Sequence, residues 1–358
     1  MPFQFWFGKH PYQYLRRKLF HVLQHAVHLA GTIGTGGNEK PCYWKGNTKY
    51  ELPMDSEMAE GYACSLTLKD GKAYSAGDYG ETGVSTAIVW EGNTPYWQSP
   101  ERWTAAHAIL TEGSSLYIAG KLKKDEVWEA SVADITDKTQ VRIAHLHTST
   151  GTEEGSRAYG LCASPSAFYA VGQIYNSVVD QKKGALWTIS KTFDGTVTET
   201  VLATGEDVWP KAVCFLDGAA YAAGRNAARN AAVWKVTGTG TSATITETEL
   251  ETDGSEANAA CTKDGFVFIG GRNRGKPCIW KGTDSSFTAI PLSSKDGTVN
   301  ALYAFGNDIY AAGYIQESGV KKAAYWKFTS AISSASDADI TVLPDADSEA
   351  YGIAVAWE

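Results

Sequence analysis

The stretch DIYAAGYIQESGVKKAAYWKF (308–328) contains the pattern that decides the fold. An aromatic residue, Tyr310, comes three positions before Gly313, a polar loop follows, and a second apolar run carries Trp326. Each run has the length of a typical β-strand, and the loop between them is typical of a hairpin. The unit occurs seven times, with glycines at Gly31, Gly77, Gly120, Gly172, Gly224, Gly271 and Gly313 and tryptophans at Trp44, Trp90, Trp128, Trp187, Trp234, Trp280 and Trp326.

The spacing of the repeat indicates its architecture. Successive glycines lie between 42 residues (Gly271 to Gly313) and 52 residues (Gly120 to Gly172) apart. Periods of this size are typical of four-stranded propeller blades. In the last repeat, TVNALYAF (298–305) supplies an inner strand and ITVLP (340–344) an outer one. The sequence therefore predicts an all-β protein, a seven-bladed β-propeller of four-stranded blades.

The two ends of the chain are out of phase with the repeat. SEAYGIAVAWE (348–358) matches an inner strand that no second strand follows, whereas HAVHLAGT (25–32) matches a second strand. We expect the C-terminal strand to complete the first blade, because this closes the ring and leaves no open edge. Residues 25–358 would then form one propeller domain, and residues 1–24 an accessory segment.

Two alternatives to this closure remain open on sequence grounds. An open array of seven stacked units has the same repeat, but it needs polar caps at its ends. LRRKLFHVL (15–23) is a second candidate for the inner strand of the first blade, although it matches the other inner strands poorly.

Composition excludes several classes of protein. The net charge of −8 argues against a nucleic-acid partner, since that affinity depends on Lys and Arg. No apolar stretch is long enough to span a membrane, and the N-terminus lacks the order of a secretory signal. The six cysteines contain no CxxC pair, and we interpret them as buried, reduced core residues. We expect a monomer without a cofactor or metal site.

The repeat resembles the bacterial propeller-like repeats with the consensus "YxAG…AxxWKNG", many of which belong to uncharacterised surface lipoproteins. The residues that carry the resemblance are those of the glycine and tryptophan columns in residues 25–358. The resemblance implies a secreted or cell-surface location, whereas the missing signal peptide favours the cytoplasm. It implies no catalytic residues.

A candidate ligand-binding site follows from the inner strands, which line the axis of a propeller. Each strand begins with a residue that can form hydrogen bonds and is followed by a small residue. We expect these seven side chains to ring the mouth of the axial channel, where they bind either water or a ligand. They are Tyr62, His107, Tyr159, Lys211, Asn258, Asn300 and Tyr351.

Acidic residues are frequent in the loops before the inner strands. Glu154, Glu206, Glu256 and Glu349 would form an acidic ring around the mouth, with bases in neighbouring loops forming a rim. These charges either pair with each other in solvent or create a field that attracts charged ligands.

Motifs for catalysis are absent from the sequence. It contains no G-x-S-x-G, P-loop or HExxH pattern, and no carboxylate pair is singled out. The first hypothesis is therefore a binding or scaffold propeller that recognises a protein or a glycan. The alternatives are a hydrolase or lyase acting on carbohydrate at the channel mouth, and a structural surface component.

Overall fold

The computed structural model describes residues 25–81, 84–100, 103–124, 127–148, 154–176, 181–252 and 254–357. The expected accessory segment, residues 1–24, lies outside the described residues. Within them the chain is almost entirely β-structure, with two short 3₁₀ turns at Gly240–Ser242 and Ala335–Asp337. No helix among these residues has the length and apolar character that a membrane span requires.

The strands of the first four blades follow the chain. They are β1 (His25–Ile33), β2 (Lys40–Lys45), β3 (Thr48–Glu51), β4 (Glu60–Lys69), β5 (Lys72–Glu81), β6 (Val84–Glu91), β7 (Thr94–Gln98), β8 (Trp103–Glu112), β9 (Ser115–Lys124), β10 (Val127–Asp134), β11 (Arg142–His145), β12 (Glu154–Ala163), β13 (Ala167–Asn176), β14 (Gln181–Ser190) and β15 (Val197–Gly205).

The remaining strands complete the ring. They are β16 (Trp209–Leu216), β17 (Ala219–Arg225), β18 (Ala231–Thr237), β19 (Thr244–Glu251), β20 (Glu256–Lys263), β21 (Phe266–Asn273), β22 (Lys276–Thr283), β23 (Ser286–Pro291), β24 (Gly297–Phe305), β25 (Asp308–Glu317), β26 (Val320–Thr329), β27 (Asp339–Val342) and β28 (Ser348–Trp357).

These strands form seven antiparallel sheets of four, which are the blades of a seven-bladed β-propeller. Six blades use consecutive strands, from β4–β7 to β24–β27, and the first blade has the order β28-β1-β2-β3. Strand β28 pairs with β1 from His25 opposite Trp357 to Ile33 opposite Ser348. The predicted closure by the C-terminal strand is therefore confirmed, and the inner strand of the first blade is β28.

The hydrophobic core lies between the blades. Seven buried clusters each combine side chains of two neighbouring blades, and the last joins β25 and β26 to β1, β2 and β28. Six of the repeat tryptophans are completely buried in them: Trp44, Trp90, Trp187, Trp234, Trp280 and Trp326. These six side chains are therefore core residues. All six cysteines are free thiols.

Trp128 does not belong to this column, so the expectation of seven equivalent tryptophans is wrong in the third blade. In the other blades the tryptophan pairs with the residue two before the repeat glycine, as Trp280 pairs with Ile269. In the third blade, Ala133 pairs with Ile118 at this place. Trp128 lies five residues earlier and is half-buried, and Trp97 of β7 fills the cluster that contains Ala133.

Every inner strand contains a β-bulge opposite the repeat glycine. In β20, for example, Ala257 pairs with Gly271 and Ala259 with Gly270, so no residue of β21 lies opposite Asn258 in the strand register. A Cβ atom on Gly271 would overlap the backbone carbonyl oxygen of Glu256. The same overlap with an inner-strand carbonyl occurs at Gly31, Gly77, Gly120, Gly172, Gly224, Gly271 and Gly313. The repeat glycine is thus required by the close approach of backbone at the bulge.

Candidate functional site

The seven bulges place one residue from each blade around a single cavity on the axis. A bulge leaves its extra residue out of the ladder of hydrogen bonds and redirects its side chain. The residues so placed, which we call the bulge ring, are Cys64, His107, Tyr159, Lys211, Asn258, Asn300 and Tyr351. All seven line the same cavity.

Six of the seven residues predicted for the channel mouth are in this ring, and Tyr62 is not. The bulge of β4 falls between Ala63 and Ser65, so Cys64 takes the place expected for Tyr62. Tyr62 lies two residues earlier, at the position that Glu256 and Glu349 occupy in their blades. The sequence pattern indicated Tyr62 because a small residue, Ala63, follows it, whereas the position of the bulge relative to Gly77 determines the equivalence.

Residues on one side of the bulge ring form hydrogen bonds across blade boundaries. Lys211 Nζ donates to Asn258 Oδ1 at 2.8 Å. Asn258 Nδ2 donates to the carbonyl oxygen of Val299 at 3.2 Å, and Asn300 Nδ2 donates in the same way to Ala350 at 3.0 Å. This side of the ring is therefore held in place by polar contacts between adjacent inner strands.

The other side of the ring is aromatic. The His107 and Tyr159 rings lie 5.1 Å apart, and the Tyr159 ring lies 5.5 Å from that of Trp209. Lys211 Nζ lies 4.5 Å above Trp209, a cation–π contact. The ring therefore combines flat apolar faces with amine, amide and hydroxyl groups.

The four predicted acidic residues fall into two groups. Glu256 and Glu349 reach the bulge ring. Glu256 Oε2 lies 3.6 Å from Lys211 Nζ, and Glu256 Oε1 lies 2.9 Å from Arg272 Nη2. Glu349 accepts hydrogen bonds from Asn300 at 3.0 Å and Lys321 at 2.8 Å. Glu206 is exposed in the loop before β16, and the side chain of Glu154 lies outside the described part of the chain.

Burial and neighbouring charges change the protonation of these groups. Burial lowers the pKa of Lys211 even though the Glu256 carboxylate beside it acts in the opposite direction. Burial alone would raise the pKa of Glu256, but Lys211 and Arg272 hold it below its usual value. Glu256 is therefore a carboxylate near neutral pH and is already engaged by bases, so it balances charge within the site.

The cavity has a volume of about 280 Å³ and extends from the bulge ring toward the other end of the inner strands. The next residue along each strand is small, as at Gly160 and Ala212, and the one after it is apolar, as at Leu161 and Val213. The cavity thus has apolar walls and a polar ring at one end, and we call it the axial cup. Pockets that enclose drug-sized ligands have volumes of about 300–1,000 Å³, so this one suits a smaller molecule.

Comparisons with known proteins support the fold. No family model matches the sequence, and no curated protein matches it. Among solved structures, a Bacteroides fragilis protein named "putative 6-phosphogluconolactonase" is similar, with a TM-score of 0.54 and 11% sequence identity. The match covers 93% of this chain and 98% of that one. At this identity the likeness concerns the propeller fold alone.

Proposed function

We propose that this protein is a binding propeller whose axial cup receives a small molecule rich in hydroxyl groups, such as the terminal sugar of a glycan. The observation that carries the proposal is the bulge ring, in which seven unpaired inner-strand residues line one cavity. A cavity lined by aromatic and apolar side chains with a few convergent polar groups is typical of small-molecule sites.

The chemistry of the ring supports a sugar ligand. The faces of Tyr159 and Tyr351 offer stacking surfaces for the apolar face of a sugar ring. Beyond their contacts with neighbouring strands, the Lys211 amine has a third N–H donor and the Asn258 and Asn300 amide oxygens have acceptor sites for hydroxyl groups. The loops above the ring would bind the rest of a glycan or a protein that carries it.

Titration calorimetry with a panel of monosaccharides, sugar acids and sugar phosphates tests this proposal. We expect binding by the native protein and a loss of roughly five- to tenfold in affinity for Tyr159→Ala, since one aromatic contact contributes about 1 kcal/mol. Tyr50→Ala is the matched control, because Tyr50 is an exposed tyrosine on β3. No binding across the panel, or equal losses in the two variants, would contradict the proposal.

The second candidate is a hydrolase or lyase acting on carbohydrate in the same cup. The observation that favours it is the similar propeller whose name refers to a sugar-derived lactone. A lactone such as gluconolactone, followed by acid release at constant pH, tests this activity. Enzymatic turnover that Tyr159→Ala reduces would replace the binding hypothesis, and a rate equal to that without protein excludes this reaction.

A further inference from the structure

Three side chains that ligate transition metals meet at the wall of the axial cup. Cys64 is the bulge residue of β4, Asp78 follows the repeat glycine in β5, and His107 is the bulge residue of β8. One ligand atom from each of them lies within 4.8 Å of the other two. The Cys64 Sγ atom is 4.0 Å from Asp78 Oδ1.

We propose that Cys64, Asp78 and His107 form a binding site for Zn²⁺ or a transition metal of similar ligand preference. Thiolate, imidazole and carboxylate are the three ligand types of zinc in proteins. In a tetrahedral site with bonds of about 2.0–2.3 Å, ligand atoms lie roughly 3.3–3.8 Å apart. The ligand atoms here lie within 4.8 Å of one another, only slightly farther apart than in that geometry. Small side-chain rotations would therefore bring all three onto one ion.

The surroundings of these side chains provide a second, independent observation. His107 Nε2 is buried and has no hydrogen-bond partner among the described residues. Asp78 is half-buried; among the described residues its carboxylate accepts a hydrogen bond from the Cys64 thiol at 4.0 Å and forms no ion pair within 4 Å. A buried polar nitrogen without a partner is costly. A cation bound at His107 Nε2 would remove that cost and pair with the Asp78 carboxylate.

Charge balance also fits a divalent ion. Zn²⁺ displaces the thiol proton, so one thiolate and one carboxylate neutralise the two positive charges. Lys121 and Arg157 are the nearby bases: the charge of Lys121 acts on both Asp78 and His107, and that of Arg157 acts on His107. The pKa of Lys121 is lowered by burial and by Arg157, and its Nζ lies 5.1 Å from the Trp128 ring. Lys121 is therefore the group whose positive charge opposes a bound cation at Asp78.

The site has an open position. Cys64 and His107 both line the axial cup, and three protein ligands leave a fourth tetrahedral place for water or a ligand atom. A metal here would hold an oxygen atom of a molecule in the cup. The site itself depends only on these three side chains and does not require the proposed sugar ligand.

Titration of the full-length, chelator-treated protein with Co²⁺ and Zn²⁺ tests the proposal. We expect one Co²⁺ per chain with a thiolate-to-metal charge-transfer band, and displacement of Co²⁺ by Zn²⁺. Cys64→Ser should abolish the band, and His107→Gln should weaken binding at least about 100-fold, because even outer-sphere changes cost 10–100-fold. Cys261→Ser is the control, since Cys261 is a free thiol of β20 outside the cluster.

A further variant removes the opposing charge instead of a ligand. Lys121→Met should bind Zn²⁺ more tightly than the native protein, because it removes positive charge from the neighbourhood of Asp78. The Lys121→Met variant tests the site even where a variant of a metal ligand fails to fold. No charge-transfer band in the native protein, a band that survives Cys64→Ser, or weaker binding by Lys121→Met would overturn the proposal.

Discussion

Asn300 donates a hydrogen bond from its side-chain amide to the backbone carbonyl of Ala350, 3.0 Å away in the next blade. Ala350 belongs to β28, the strand that completes the first blade, so this contact joins the last blade to the closing strand. Asn258 makes the equivalent bond to Val299 one blade earlier. The residues that line the cavity therefore also connect the inner strands around the ring.

Removal of the closing strand should destabilise the whole ring. A chain that ends at Asp347 leaves β1 without its inner partner. This exposes an unpaired strand edge and the side chains that pack against β28, such as Val27 and Leu29. We expect aggregation or a large fall in melting temperature, measured by light scattering and thermal unfolding. A truncated protein that remains monomeric and melts at the native temperature would show that closure does not depend on β28.

Addition of one methyl group at a repeat glycine should be much more costly than at a surface glycine. Gly271→Ala places a Cβ against the carbonyl oxygen of Glu256, and backbone must move. We expect a loss of about 3 kcal/mol or more in the free energy of unfolding. Gly36→Ala is the control, because Gly36 has positive φ but open space around it, and its cost should be about 1–2 kcal/mol. Urea denaturation measures both, and equal losses would contradict the bulge geometry.

The two classes of repeat tryptophan should differ in their contribution to stability. Trp280 is completely buried between blades, and Trp280→Ala should cost about 3–5 kcal/mol in the free energy of unfolding. Trp128 is half-buried outside the column, so Trp128→Ala should cost clearly less. Denaturant unfolding of the two variants makes the comparison. A larger loss of unfolding free energy for Trp128→Ala would show that Trp128 is a core residue after all.

The repeat pattern was sufficient to predict the fold because the packing of each blade requires particular residues at the same positions. The glycine column is needed for the bulge, and the tryptophan column fills the space between blades, so both appear in the sequence as a regular spacing. Trp128 misled because the third blade has Ala133 at the tryptophan position, and Trp97 of the second blade packs in the same cluster. Because the large side chain comes from a different blade, the repeat pattern of the third blade does not show it.

The site was predictable only in part. Polar residues before small ones identified six ring positions, but Cys64 was missed because a cysteine in an apolar strand looks like a core residue. The proximity of Cys64, Asp78 and His107 depends on strand pairing within one blade and packing between two. Their spacing along the chain, unlike that of a zinc finger, contains no signature of a ligand set.

A crystal structure of the protein with the sugar that binds most tightly tests the central claim most directly. The account predicts electron density for the sugar inside the axial cup, in contact with Tyr159 or Tyr351 and within hydrogen-bond distance of Asn258, Asn300 or Lys211. Density only on the outer surface of the blades, or bulge-ring side chains turned between the blades instead of toward the axis, would contradict it.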